Sequence, residues 1–173
     1  MSGRFVAERK YVADTVALAK YLDNTLPAKA DDAFKEFENG GALILVPEIV
    51  IGEFIYICLK GRLKSNDPIS LIQELLDEVD AAAGLRQIGM TNKSWAEFMV
   101  SKIFQLHDRM ILAIARAEEV EAIITNDDEL ASSGFRTIWE SSVRKRDWRD
   151  AALWRGDEIA RPGADPQMGR KAF

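Results

Sequence analysis

The chain has 173 residues, 47% of them hydrophobic, which suits one domain built around one core. Its only cysteine, Cys58, excludes a disulfide framework within the chain and a paired-cysteine metal motif, and we expect a reducing, cytoplasmic setting. The net charge of −5 has the wrong sign for a simple attraction to phosphates, so bulk charge does not decide whether nucleic acid is a partner.

The order of apolar and polar residues predicts short strands that alternate with helices. The apolar run at 42–46 is uninterrupted, as in a strand buried on both faces. The predicted strands occupy residues 11–13, 42–46, 85–88, 121–125 and 136–139. Helical periodicity, with proline at helix starts and glycine at breaks, predicts the helices. They occupy residues 15–22, 31–38, 47–60, 68–82, 91–105, 108–119 and 128–132.

This alternation predicts an α/β fold in which helices cover both faces of a mainly parallel sheet. The longest apolar stretch, 42–59, is interrupted by Pro47 and Glu48, so we expect no membrane span. Ligands of parallel α/β folds gather at the carboxyl ends of the strands. Asp14 and Asp127 each follow a predicted strand, and that edge of the sheet is therefore the first candidate for a functional site.

Three acidic residues also suit a purely structural role. Asp14 is a favourable N-cap for the helix that follows it, and Asp108 precedes an apolar helix that it would cap. Asp127 lies in a polar turn where Asn126 and Glu129 would form a capping box. Taken singly, capping is the simpler interpretation of each acid.

Glu53 is harder to explain structurally. It lies in the middle of a predicted helix that is apolar around most of its circumference. A lone carboxylate there is costly unless a basic side chain, protonation or a divalent cation compensates it. The alternative is that Glu53 belongs to a narrow solvent-facing stripe with Tyr56 and Lys60.

Taken together, the acids suggest one metal site. Mg²⁺ and Mn²⁺ prefer carboxylate oxygens, and four carboxylates from separate elements do not all stay ionised side by side without a cation. Such a site positions a metal ion that polarises a phosphodiester and lowers the pKa of a bound water. The candidate residues are Asp14, Glu53, Asp108 and Asp127. For the fourth acid, we expect Asp127 to face the site and the adjacent Asp128 to begin and cap the short helix.

Four short motifs carry these acids in a specific order. They are YVADT at 11–15, PEIVIGE at 47–53, HDRMILAIA at 107–115 and AIITND at 122–127. With these motifs the sequence resembles a PIN domain over about residues 10–140, and the last two motifs are the most specific because their order and short separation match the family closely. The resemblance implies a three-layer α/β/α sandwich with a mainly parallel central sheet.

The resemblance also implies a metal-dependent endonuclease, usually one that acts on RNA, with Mg²⁺ or Mn²⁺ as cofactor. The implied metal ligands and catalytic residues are Asp14, Glu53, Asp108 and Asp127. Thr15, Thr125 or Asn126 would orient water or phosphate. Many small prokaryotic members are toxins of VapBC toxin–antitoxin modules, so an antitoxin protein is an expected partner beside RNA.

Two other functions stay open at this point. A catalytically idle PIN fold would act as an RNA-binding or assembly module, and a nuclease for structured DNA would use the same acids. The presence of all four acids favours an enzyme. His107 is the only histidine, which argues against a multi-histidine zinc site, and we expect it to pack beside Asp108.

The chain is longer than a typical toxin of this kind. We therefore expect a nuclease domain at 1–140 and a C-terminal extension at 141–173, flexible in part. In the extension, Trp148 and Trp154 lie among arginines, which suits either contact with single-stranded nucleic acid or packing on the domain. A homodimer is also expected, because the predicted helices carry more apolar surface than a small domain hides. That surface is centred on Leu59, Leu63, Phe98 and Phe104.

Overall fold

The computed structural model describes residues 9–63, 67–81 and 84–139, and the predicted extension at 141–173 lies outside them. The described strands are β1 (Arg9–Ala13), β2 (Ala42–Pro47), β3 (Arg86–Ile88), β4 (Ala122–Ile124) and β5 (Thr137–Ile138). They form one sheet in the order β3-β2-β1-β4-β5, and every neighbouring pair is parallel. The prediction of a mainly parallel sheet is confirmed.

Helices separate the strands along the chain and cover the sheet as an α/β/α sandwich. They are α1 (Thr15–Leu22), α2 (Ala28–Glu38), α3 (Glu48–Leu59), α4 (Pro68–Asp80), α5 (Asn92–Val100), α6 (Leu106–Ala117) and α7 (Asp128–Ser132). None of the helices described here is long and apolar enough to cross a membrane.

The core lies against the central strands. Val12, Ile44 and Ile123 are completely buried, as expected of strands that helices cover on both faces. The register pairs Ala13 with Ile124, so β1 and β4 end side by side. Whatever follows these two strands is therefore brought together at one edge of the sheet.

One predicted helix is shorter in the structure than the sequence pattern indicates. α5 ends at Val100, and residues 101–105 are not helical although the predicted helix continues through them. The guanidinium of Arg109 donates to the carbonyl oxygens of Phe98 at 2.8 Å and Met99 at 3.3 Å. Carbonyl groups in the last turn of α5 thus accept hydrogen bonds from a side chain outside the helix, and α5 can end at Val100.

Two helix starts also differ from the prediction. α2 begins at Ala28, three residues before the predicted start, because Pro27 precedes it with a φ of −67° that suits a helix entrance. α6 begins at Leu106 rather than at residue 108. Asp108 consequently lies inside the first turn of α6 and does not precede it.

Candidate active site

Asp14 follows β1 directly and is only 6% exposed. Its Oδ1 accepts the backbone N–H of Ala17 at 2.7 Å and caps α1. Its Oδ2 accepts the hydroxyl of Thr125, the residue that follows β4. Asp14 therefore caps a helix, as the structural interpretation expected, and also faces the carboxyl edge of the sheet with its other oxygen.

The surroundings of Asp14 disfavour its negative charge. Burial raises the pKa of its carboxyl to about 7, although the hydrogen bonds from Thr125 and Ala17 act in the opposite direction. The nearby carboxylates of Asp127 and Glu53 are smaller contributors to this raised pKa. A cation at this edge of the sheet would relieve both effects.

Glu53 extends from α3 towards the same edge, and its side chain is 15% exposed. Its Oε2 accepts the hydroxyl of Thr15, the first residue of α1, at 2.5 Å. Its Oε1 lies 3.5 Å from Nδ1 of His107. Tyr56 on α3 and Lys60, its C-cap residue, are exposed, whereas Glu53 is only partly exposed, so it does not share their solvent-facing stripe.

These contacts differ from the expected surroundings of three residues. His107 has Glu53 as its charged neighbour, whereas the sequence suggested packing beside Asp108. The hydroxyl of Thr15 donates to a carboxylate, as that of Thr125 does, although the sequence suggested that they orient water or phosphate. In the structure both threonines orient acids of the cluster.

Asp108 is half-buried in the first turn of α6, and Gln105 is the N-cap residue of that helix. The expectation that Asp108 caps the helix is therefore wrong. Burial, followed by the carboxylates of Asp127, Glu129, Asp14 and Glu53, raises the pKa of its carboxyl to about 7. The charges of the other three candidate acids thus all contribute to the raised pKa of Asp108.

Asp127 is the N-cap residue of α7. Its Oδ1 accepts the backbone N–H groups of Glu129 at 2.7 Å and Leu130 at 3.0 Å. The predicted capping box of Asn126 with Glu129 is wrong, because the cap is one residue later than the sequence suggested. Asp128 begins α7, as expected, but it is exposed and is not the cap.

The structure brings the four candidate acids to one edge of the sheet from four different parts of the chain. After burial, the carboxylate of Asp127 is the next contributor to the raised pKa of Asp108. It also contributes to the raised pKa of Asp14, again after burial. Asp127 therefore lies near both acids while it caps α7.

Glu129 is a further acid of this edge that the sequence indicated only as a capping residue. Its carboxylate contributes to the raised pKa of Asp108, after burial and Asp127. Its Oε1 also accepts the backbone N–H of Phe104 at 2.8 Å. The only feature of the sequence that could have indicated a role for Glu129 in the site is its position two residues after Asp127, in the first turn of α7.

The donor set of this edge suits a hard divalent cation, because every candidate donor is a carboxylate oxygen. Burial first, and the neighbouring carboxylates after it, raise the pKa of Asp14 and Asp108, so a cation bound here would favour their ionised forms. As the side chains stand, no three Asp, Glu, His or Cys residues of the described ranges are arranged closely enough to hold a metal ion.

The fold is thus a parallel α/β/α sandwich that places several acidic side chains near the carboxyl edge of its sheet. The model of the PIN domain family matches residues 11–135, most of the chain, and this protein belongs to that family. PIN domains are nucleases that generally use divalent metal ions. The family resemblance of the sequence is thereby confirmed.

Solved structures share this fold. VapBC2 from Rickettsia felis, bound to a DNA fragment from its promoter, matches with a TM-score of 0.57 and 18% identity, over 76% of this chain and 99% of that one. Mycobacterium tuberculosis VapC20, described as a sarcin-ricin loop cleaving toxin, matches with a TM-score of 0.51 and 15% identity, over 72% and 95%. FitAcB from Neisseria gonorrhoeae matches with a TM-score of 0.51 and 11% identity, over 73% and 95%. No curated protein matches the sequence.

Proposed function

We propose that this protein is a divalent-metal-dependent endoribonuclease that cleaves RNA phosphodiester bonds. The observation that carries the proposal is the convergence of Asp14, Glu53, Asp108 and Asp127 on one edge of the sheet. Burial and mutual repulsion raise the pKa of two of them, Asp14 and Asp108, to about 7. Membership of a nuclease family supports the same chemistry.

The four carboxylates are the proposed holders of Mg²⁺ or Mn²⁺. When bound, the ion would polarise a phosphodiester and provide a water of lowered pKa. Thr125 and Thr15 hold the carboxylates of Asp14 and Glu53 in place through hydrogen bonds. Arg109, adjacent to Asp108 in α6, fixes the end of α5 beside the site.

We further propose that the protein is the toxin of a toxin–antitoxin pair, with an antitoxin protein as partner. The support is the likeness of fold to VapBC2 and to VapC20, whose description names cleavage of the sarcin-ricin loop. Ribosomal RNA of that kind is consequently the first substrate to try. Induced expression should arrest growth, and Asp108→Asn should remove the arrest.

The direct test is incubation of a mixed RNA pool with the protein in Mg²⁺, Mn²⁺ or EDTA, followed by mapping of the cut sites. We expect cleavage with either metal and none in EDTA. Asp108→Asn should abolish it, whereas Asp128→Asn, a matched change at an exposed acid, should not. Cleavage of structured DNA alone would favour a DNA nuclease. RNA binding without cleavage under every condition would favour an idle binding module.

A further inference from the structure

The segment between α5 and α6, residues 101–105, has an alternating pattern of burial. Ser101 and Ile103 are buried, whereas Lys102 is exposed and Phe104 is 94% exposed. The backbone is extended at both ends of the segment, with φ and ψ of −66° and 142° at Ser101 and of −70° and 131° at Gln105. Lys102 and Phe104 both face solvent, whereas Ser101 and Ile103 beside them are buried.

Contacts on both sides fix the start of this segment. The guanidinium of Arg109 lies 4.7 Å from the centre of the Phe98 ring and donates to the carbonyl oxygens of Phe98 and Met99. The hydroxyl of Ser101 accepts the backbone N–H of Ile103 at 3.3 Å. With Ile103 buried beneath it, the segment is a fixed part of the surface.

The far end of the segment is tied to the acidic cluster. The backbone N–H of Phe104 donates to Oε1 of Glu129 at 2.8 Å. The same carboxylate raises the pKa of Asp108, behind burial and Asp127. The backbone of Phe104 is therefore bonded to a carboxylate that lies near Asp108, and its ring is exposed to solvent.

We propose that Lys102 and Phe104 form a binding subsite for single-stranded nucleic acid, in which Phe104 stacks on a base and Lys102 contacts a backbone phosphate. The combination of a flat aromatic face with a cation is the usual means of holding a single strand. Lys102 makes no ion pair with any side chain of the described ranges, so its charge is available. The fixed geometry also lowers the ordering cost of binding.

This subsite deepens the proposed function, on which it rests, because it predicts recognition of an unpaired base beside the cleaved bond. Met99 and Leu106 are exposed nearby, so a protein would also find apolar surface here. The position of Lys102 and the adjacency to the acids favour the nucleic acid strand. A protein on the same surface is therefore treated as an outcome of the test.

Binding of a labelled oligouridylate RNA in EDTA, where no metal-dependent cleavage occurs, tests the stacking contact. Phe104→Ala should weaken binding about 5- to 150-fold, the range that loss of one stacked base corresponds to. Phe104→Trp should retain the affinity, and Phe104→Leu should behave like the alanine variant. Met99→Ala is the matched control at a neighbouring exposed side chain and should leave the affinity unchanged.

An oligonucleotide of abasic residues keeps the phosphates but removes the stacking partner. Comparing wild type and Phe104→Ala on both oligonucleotides therefore isolates the contribution of stacking, as in a double-mutant cycle. Wild type and Phe104→Ala should bind the abasic oligonucleotide equally. An equal loss on both oligonucleotides, or no loss on either, would overturn the stacking role. A DNA oligonucleotide of the same bases measures whether the ribose contributes.

The role of Lys102 is tested by the salt dependence of the same binding. Lys102→Gln should reduce the slope of log affinity against log salt by about 0.7, the value for one phosphate contact of a single strand. Lys29→Gln, at an exposed lysine of α2, is the control and should leave the slope unchanged. An unaltered slope in Lys102→Gln would remove this residue from the subsite.

Failure of the subsite and failure of the nuclease proposal have different signatures. If the RNA binds as expected but is never cut with Mg²⁺ or Mn²⁺, the subsite stands and the nuclease proposal fails. If the RNA is cut while Phe104→Ala binds it normally, the subsite alone fails. If Phe104→Ala changes only the self-association measured by light scattering, Phe104 belongs to a protein interface and the subsite is wrong.

Discussion

At the scale of single residues, capping and site formation are not exclusive. Asp14 and Asp127 each cap a helix with Oδ1, and the charges of both act on the neighbouring acids. A carboxylate has two oxygens and about four acceptor sites, so it can satisfy a helix start and still offer a lone pair elsewhere. Each of these acids lies in the turn between a strand and the next helix, and its hydrogen bonds to the start of that helix fix the orientation of its carboxylate.

Variants of Asp127 distinguish the effect of its charge on cleavage from the effect of its helix cap on stability, and Asp128 provides the control. Asp127→Asn should nearly abolish cleavage but leave stability almost unchanged, because asparagine caps a helix about as well as aspartate. Asp127→Ala should abolish cleavage and also cost about 0.5–2 kcal/mol of unfolding free energy. Initial cleavage rates and urea unfolding of each variant measure the two effects.

Asp128→Ala serves as the control for these variants, because Asp128 is exposed and is not the cap of α7. It should keep the cleavage rate. A rate lost in Asp128→Ala but kept in Asp127→Asn would transfer the catalytic role to Asp128.

The raised pKa values of Asp14 and Asp108 predict how stability depends on pH. Burial, followed by neighbouring acids in the case of Asp108, raises both pKa values from an ordinary 3.8 to about 7. Between these values the folded state binds more protons than the unfolded state, so stability falls as pH rises through this window. Without divalent ions, the melting temperature should therefore be lower at about pH 8 than at about pH 5.

Mg²⁺ should reverse this loss, because it binds the ionised carboxylates. We expect Mg²⁺ to raise the melting temperature clearly at about pH 8 and little at about pH 5. Asp14→Asn should flatten the pH dependence of the metal-free protein, because it removes one of the two groups. A Mg²⁺ effect of equal size at both pH values would contradict the assignment of these acids to the metal site.

At the scale of elements, Thr125 connects the ends of two adjacent strands. It follows β4, donates its hydroxyl to Asp14 after β1, and accepts the backbone N–H of Asp127 at 2.9 Å. Thr125 is buried, and no local feature of the sequence distinguishes it from any other strand-end threonine. The hydrogen bond joins positions 14 and 125 because the parallel register places β1 beside β4.

Thr125→Val tests this connection with little change of shape. It leaves the N–H of Asp127 and one oxygen of Asp14 without their partner, which should cost about 1–3 kcal/mol of unfolding free energy. Cleavage should also slow, because two acids lose their orientation. Thr125→Ser keeps the hydroxyl and should retain most of both properties, as judged by denaturant unfolding and initial rates. Equal behaviour of the valine and serine variants would show that the hydroxyl has no such role.

At the scale of the whole molecule, the sheet order decides which acids meet. β1 lies at the centre between β2 and β4, so the segments that follow these strands share one edge. Asp14, Glu53 and Asp127 come from those segments, and α6 adds Asp108. Residues that lie tens of positions apart in the sequence come close together because all the parallel strands end at the same edge of the sheet.

The predicted homodimer is also a property of the whole molecule. Of the side chains expected to form the apolar surface, Leu59 and Phe104 are exposed, whereas Leu63 and Phe98 are partly buried. With Phe104 assigned to the nucleic-acid subsite, Leu59 is the exposed member of that set that is left for the interface. We expect light scattering at micromolar concentration to give twice the 19.4 kDa mass of the chain. Leu59→Arg should shift the protein towards the monomer, because it places a charge in the expected interface. A monomer in the wild type would contradict the dimer.

The sequence by itself determined most of the elements and named the four candidate acids. α1 and α7 begin and end where the sequence predicted, because strand ends, capping acids and helical periodicity are local signals. The four candidate acids were also selected from the sequence, by their combination on an α/β pattern and by the four motifs that carry them, although three of them taken singly suit a helix cap.

The tertiary structure decided the rest. α5 ends at Val100 because Arg109, on the next helix, binds its last carbonyl groups. Phe104 is exposed beside the acids because Glu129, which lies twenty-five residues further along the chain, binds its backbone. The raised pKa values of Asp14 and Asp108 arise from burial and from acids distant in sequence. Periodicity and capping preferences report only on neighbours along the chain, so contacts of this kind become visible only when the sheet has brought the segments together.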